Sequence, residues 1–316
     1  MGNQRTRLAD GAVPLGLLEE FAPELRRLGA TNVNLYGGGE PLLHPRICEV
    51  LDLLAGEGFG VQVITNGYGL TEAVRATIAR RRRHISWLRF SFHGIGEDSF
   101  ARITGTRALR RIQDQIRALC QACDGPDRPV LGLFVPVTTP FERGETRSFL
   151  EWAAATGADY LWFAEDYLAP LSADGPPFRF MEYRALIEEI CAEYPNLAVD
   201  YTRSTAFSYS RPCCFEEFTH MNLVWDPEER RMMLVRCPNY FPQGPVARPP
   251  EGSWEFVEPA TLAAQWGRFQ QRSSARSPLV CARRGACLSY RRNERILRRL
   301  REAAPADGLG AWWLGA

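Results

Sequence analysis

Apolar residues follow two alternating rhythms along the first two-thirds of the chain. Between residues 14 and 28 they recur at helical spacing and stop near Gly29, which predicts a helix. A short β-like run over 31–36 follows. The same exchange of rhythms then repeats, with helices expected near 45–57, 71–81, 106–121, 145–156 and 180–194. Strands are expected at 61–65, 85–92, 130–135, 160–164 and, more weakly, 197–200.

Strands alternating with helices imply parallel pairing through right-handed crossovers, an α/β fold. In such folds ligands bind at the carboxyl ends of the strands. The polar and glycine-rich residues collect at those ends: Gly37-Gly38-Gly39-Glu40-Pro41, Thr65-Asn66-Gly67, Ser91-Phe92-His93, Val137-Thr138 and Glu165-Asp166. Consecutive glycines at a strand exit leave the backbone open to close approach by a ligand. Glu40 there offers a carboxylate to a cationic group, and Pro41 stiffens the turn. Ser91 and His93 are alternate residues, so both are expected on one face. A core histidine is an equal alternative for His93.

Composition narrows the chemistry. The 316 residues suffice for one large domain and an appendage, and 45% hydrophobic with 24% charged residues is ordinary for a globular protein. A net charge of +1 provides no global field for nucleic acid or an anionic membrane. The sequence shows neither a membrane-spanning apolar run nor a signal peptide, and a cytoplasmic protein is expected. All 38 basic residues are arginine, which excludes lysine Schiff bases and a Walker-type phosphate lysine. The basic run Arg80 to Arg83 reads as a solvated helix end.

The ordered set of strand ends resembles the radical S-adenosylmethionine (SAM) superfamily. The match is carried by Gly38-Gly39-Glu40-Pro41 after a strand, with Thr65-Asn66-Gly67 and Ser91-Phe92-His93 at later strand ends. It covers roughly residues 14 to 195. The resemblance implies a partial (β/α)6 radical-SAM-type barrel lacking its first strand, over residues 1–205. It implies that Gly38, Gly39, Glu40 and Pro41 hold the methionyl amino group, and that Asn66 lies near the nucleoside. Ser91, His93 and Glu165 are further expected contacts, and Arg102 is expected to pair with the SAM carboxylate. The chain departs from the family at one point: no cysteine precedes Cys48, so the family's Cys-x3-Cys-x2-Cys motif is absent. Truncation of the recorded N-terminus is the expected cause, and the chain as given is expected to be inactive alone.

Nine cysteines without a secretory signal point away from disulfides. Cys120 and Cys123 end a helix and read as buried. Cys214, Cys237, Cys281 and Cys287 could supply four thiolates to one auxiliary [4Fe–4S] cluster, with zinc as the alternative metal. Cys213 could replace Cys214 or donate a hydrogen atom. Residues 221–225 and 232–236 read as a β-hairpin without the usual turn glycine. Residues 206–316 therefore resemble the small SPASM or twitch extension of radical SAM enzymes, a cysteine-containing hairpin and helix.

The expected function is hydrogen abstraction by a 5′-deoxyadenosyl radical from a peptide or small natural-product substrate. An electron donor such as ferredoxin or flavodoxin is implied by the resemblance. The alternative is an inactive relative that keeps the barrel and binds a ligand or partner.

Overall fold

The structure is a computed structural model that describes residues 11–36, 39–137, 140–165, 180–195, 197–202, 221–226, 228–235 and 254–275. Helix α1 (Leu15–Arg27) leads to β1 (Asn32–Leu35), and a 3-10 turn (Pro41–Leu43) precedes α2 (Ile47–Gly56). Then come β2 (Gly60–Thr65), α3 (Glu72–Arg80), β3 (Ile85–Ser91), α4 (Glu97–Thr104) and α5 (Leu109–Ala122). The first sheet is completed by β4 (Val130–Val137), α6 (Arg143–Thr156), β5 (Tyr160–Glu165), α7 (Phe180–Cys191) and β6 (Ala198–Thr202).

These six strands form one sheet in the order β1-β2-β3-β4-β5-β6, and every neighbouring pair is parallel. Sequential order means that each crossover steps in the same direction. Right-handed crossovers then place all the connecting helices on one face. The burial pattern agrees. Val61 and Val63 of β2, Leu88 and Phe90 of β3, Leu133 and Val135 of β4, and Leu161 and Phe163 of β5 are all buried under the helices. Helix α5 presents Leu109, Ile112, Ile116 and Leu119 to that layer, spaced as one helical stripe. Phe92 packs edge-on against Phe149 and Trp152 of α6, with ring centroids 5.1 and 5.5 Å apart. The opposite face alternates with this one and is half-buried: Gln62, Ile64, Trp87, Arg89, Ser91, Phe134 and Trp162.

A second sheet contains β7 (Asn222–Asp226), β8 (Arg231–Val235) and β9 (Trp254–Val257), antiparallel throughout, followed by α8 (Leu262–Ala275). The β7–β8 turn manages without glycine. Asp226 accepts hydrogen bonds from the Glu228 and Glu229 N–H groups at 3.0 and 3.1 Å, and Arg230 takes the left-handed conformation at φ 51°. Helix α1 serves both cores. Leu15 and Ala22 join the main core, whereas Phe21 packs with Met232, Leu234, Val257 and Leu262.

Helix α4, strand β9 and helix α8 were not expected from the pattern. Only Phe100 and Ser99 are buried in the eight-residue α4, too few to register as a period. The arginine run at the end of α3 is solvated, as expected, and ion-paired: Arg80 and Arg81 both pair with Asp52 of α2 at 2.9 and 2.7 Å, and Arg83 pairs with Asp127 at 2.8 Å. Among the described residues no helix is long and apolar enough to cross a membrane.

Candidate functional site

Parallel strands bring all their carboxyl ends to one edge of the sheet, and the exits of β1, β2 and β3 lie side by side there. Strand β1 leaves through Tyr36 toward Gly39 and Glu40. Gly39 is exposed and Glu40 is half-buried; Gly38 lies outside the described residues. Glu40 caps the 3-10 turn that begins at Pro41, accepting the Leu42 N–H at 3.1 Å. The same carboxylate reaches the next strand. It accepts a hydrogen bond from the Thr65 hydroxyl and another from the Asn66 N–H, the latter at 2.7 Å. Thr65 is buried and its Oγ1 also accepts the Gly67 N–H at 2.9 Å. Asn66 Oδ1 accepts the Tyr68 N–H at 2.9 Å, closing an Asx turn.

Two glycines make this geometry possible. Gly67 sits at φ +80°, and a Cβ there would lie 2.8 Å from Ile112 Cγ2. At Gly69 a side chain would collide with the Leu42 carbonyl, so its absence lets the β2 loop lie against the 3-10 turn. Tyr68 extends the network, hydrogen-bonding Thr106 and lying 5.6 Å beneath the Arg111 guanidinium.

Glu40 is therefore a clip between two strand exits. Burial pushes its pKa up, opposed by the hydrogen bonds from Asn66, Thr65 and Leu42. A carboxylate offers about four acceptor positions, and these three donors fill three of them. A remaining lone pair on an anion held in a half-buried corner suits a cationic donor.

Ser91 ends β3 in register with Phe134, on the same face as Trp87 and Arg89, and is half-buried. Register across β2 and β3, with Thr65 opposite Phe90, sets Asn66 beside Ser91. His93 lies past the strand and is exposed, so it is not a core histidine. Gly94 follows it with Phe100 of α4 packed so close that no side chain fits. Arg102 is exposed on α4. Glu165 ends β5 in register with Val137. Glu40 and Asn66 thus touch and Ser91 adjoins them, whereas His93 and Arg102 stand outside that contact.

The expected cluster ligands Cys214, Cys237, Cys281 and Cys287, and also Cys213, lie outside the described residues. Among the described residues no group of three or more His, Cys, Asp or Glu side chains is placed to hold a metal ion. Cys120 and Cys123 close α5 and line a small apolar space with Leu88, Leu119 and Leu131. Burial raises both thiols, that of Cys120 to about 11, as expected of inert packing cysteines.

One group went unnoticed in the sequence. On the open face the Arg89 guanidinium carbon lies 5.2 Å from the ring centroids of Trp87 and Phe134 and 5.4 Å from that of Trp162. Trp87 Nε1–H donates to the Tyr160 hydroxyl at 2.7 Å. Tyr160 can lie across β4 because Gly132 leaves room where a Cβ would strike its ring. The signal was present as alternation in Trp87-Leu88-Arg89-Phe90-Ser91, whose odd positions share one face.

No protein-family model and no curated protein matches the chain. Solved structures with some similarity include Streptococcus suis SuiB bound to S-adenosylmethionine, at TM-score 0.48 and 12% identity over 60% of this chain and 42% of that one. SuiB bound to its precursor peptide SuiA gives TM-score 0.47 and 12% identity, over 66% of this chain and 48% of that one. A domain of pyruvate-formate lyase-activating enzyme from Bacteroides vulgatus gives TM-score 0.40 and 17% identity, over 54% of this chain and 99% of that one. The chain thus spans less than half the length of the SuiB structures it matches.

Proposed function

We propose that this chain is a radical SAM-type enzyme whose six-stranded sheet holds S-adenosylmethionine at its carboxyl edge and acts on a peptide or natural-product substrate. The observation that carries the reading is the Glu40 clip, which keeps a half-buried carboxylate at the exit of β1 and joins it to Asn66 at the exit of β2. Glu40 accepts a hydrogen bond from the ammonium of the ligand, and the bare backbone of Gly38 and Gly39 lets the methionyl part come close. Pro41 fixes the turn that sets the carboxylate. Asn66 and Ser91 border the nucleoside, with His93 and Glu165 at neighbouring strand exits, and Arg102 serves the ligand carboxylate. When bound at a reduced [4Fe–4S] cluster, SAM supplies a 5′-deoxyadenosyl radical for hydrogen abstraction. The part of this chain's own residues is to orient the ligand and exclude water. Cys214, Cys237, Cys281 and Cys287 hold one auxiliary cluster in the same proposal, and Cys213 is the reserve ligand or hydrogen donor.

SAM binding to the purified chain tests this directly. Equilibrium dialysis should show saturable binding. Loss of one charge-assisted hydrogen bond, about 1.5–3 kcal/mol, makes Glu40→Gln weaker by roughly tenfold or more. Absence of saturable binding, or a Glu40→Gln variant that binds as the parent does, overturns the proposal.

A second reading, a SAM-binding relative without radical chemistry, is favoured by one observation. Cys120, Cys123 and Cys191 sit at the carboxyl ends of α5 and α7, which lead back to the amino edge of the sheet, away from Glu40. Because the chain as given lacks the Cys-x3-Cys-x2-Cys motif, the deciding assay joins it to a segment that carries that motif; release of 5′-deoxyadenosine by the anaerobically reconstituted, reduced fusion would decide for the enzyme. Binding without that product would decide for the second reading.

A further inference from the structure

A histidine with no role in the site so far described joins three elements next to Glu40. His44 closes the 3-10 turn that Glu40 opens, its N–H donating to the Pro41 carbonyl at 3.1 Å. Both of its ring nitrogens are engaged. The Arg46 N–H, at the start of α2, donates to Nδ1 at 3.1 Å, and Nε2 lies 2.8 Å from the Val13 carbonyl, just before α1. A backbone N–H can only donate, so Nδ1 is the acceptor and the ring proton sits on Nε2, donated to Val13. We propose that His44 is a positioning residue that fastens the Glu40 turn to the lead-in of α1, and through Val13 couples the core of the small sheet to the Glu40 carboxylate.

The ring is committed to this work. With one nitrogen accepting and the other donating, it offers no lone pair to a metal ion or to a proton taken from substrate. Glu40 needs an anchor on this side. Three glycines precede it in the sequence, and glycine sets little limit on the direction of the chain. The residues that follow must therefore hold the turn: Leu42 buries itself in the main core, and His44 reaches back 31 positions to Val13. The Val13 side chain packs, with Leu17, against the cluster of Phe21, Met232 and Leu234. A shift of the small sheet against α1 thus moves the Val13 carbonyl. A planar ring with its donor and acceptor at fixed positions passes that displacement to a turn only three residues long, where a flexible side chain would absorb it.

The coupling stands on these contacts, and its effect on a ligand rests on the SAM reading above. Three variants take the ring apart. His44→Gln keeps a donor at the Nε2 position, His44→Asn keeps an acceptor at the Nδ1 position, and His44→Ala keeps neither. Amide hydrogen exchange, resolved by NMR, is followed at Leu42 and Leu43 in the turn and at Leu17 and Leu18 in the first turn of α1. His44→Ala and His44→Asn should exchange faster at both places, by about three- to tenfold for the loss of one neutral hydrogen bond, and His44→Gln should stay within about twofold of the parent. SAM binding by equilibrium dialysis should weaken by the same factor in His44→Ala and His44→Asn and recover in His44→Gln. Val13→Ala keeps the carbonyl but loosens its seat; it should weaken binding about twofold in the parent and add nothing in His44→Ala. Circular dichroism establishes that each variant folds, and His44→Asn carries the test if His44→Ala does not. Faster exchange in the turn alone, rescue by His44→Asn instead of His44→Gln, or a Val13→Ala effect that persists in His44→Ala would each overturn the coupling. Parental SAM affinity in His44→Ala would overturn the positioning role. If the parent binds no SAM, the SAM reading falls and takes the effect on the ligand with it, while the exchange rates decide the coupling by themselves.

Discussion

Replacing Glu40 by alanine separates a clip from a mere ligand-facing carboxylate. The side chain accepts from Leu42 N–H, Thr65 hydroxyl and Asn66 N–H, and thereby ties the exit of β1 to that of β2. Each such bond to a charged acceptor is worth about 1.5–3 kcal/mol. Two effects reduce the sum. Water can reach part of a half-buried corner, and removal of the carboxylate relieves the burial that raises its pKa. A net loss of about 2 kcal/mol follows, most of it from the buried Thr65 hydroxyl and the Asn66 N–H. For a chain of 316 residues that corresponds to a fall in Tm of roughly 3 °C by thermal denaturation. Thr65→Val should destabilise through the same contact, so the double variant should lose less than the two single losses added, by about 1 kcal/mol. A Glu40→Ala protein melting within about 1 °C of the parent, or strictly additive single losses, would refute the clip.

The raised pKa of Glu40 gives a signed pH dependence. Because the folded carboxyl binds its proton more tightly than the ordinary value of 4.5 allows, this group's contribution to stability falls as pH rises from 4.5 through the folded value and is level above it. SAM affinity should move the other way, declining on acidification with a midpoint above 4.5, and Glu40→Gln should flatten both profiles. Gly132→Ala should cost about 1–3 kcal/mol by overpacking against Tyr160, with a shifted tryptophan emission as Trp87 loses its hydroxyl partner. Phe21→Ala should cost about 3–5 kcal/mol, because this one side chain of α1 fills the core beneath the three-stranded sheet; denaturant titration measures it. Cys120, its thiol pushed up to about 11, should resist iodoacetamide at pH 8 in the native protein and react freely in denaturant, as peptide mass mapping would show.

Periodicity alone determined the main sheet. The alternation of rhythms located all six parallel strands and the connecting helices other than α4, because a strand buried by helices on one face and a helix with one apolar stripe each leave a local signature. It also located the β7–β8 hairpin, whose strands are short but regular. Elements with few buried positions, α4 above all, left no such trace. The turns at these strand exits were legible too, since Glu-Pro and Thr-Asn-Gly are local turn signals. What the sequence could not show is which partners those residues take. Glu40 reads locally as a turn carboxylate, and only the adjacency of β1 and β2 turns it into a clip on residues 25 and 26 positions away. Arg89 reads as a lone charge in an apolar strand. Its rings come from three strands as much as 75 residues apart in the chain, brought into line by parallel register. Local spacing fixes which face a side chain takes; what it meets on that face is set by strand order and register, and these are properties of the whole chain.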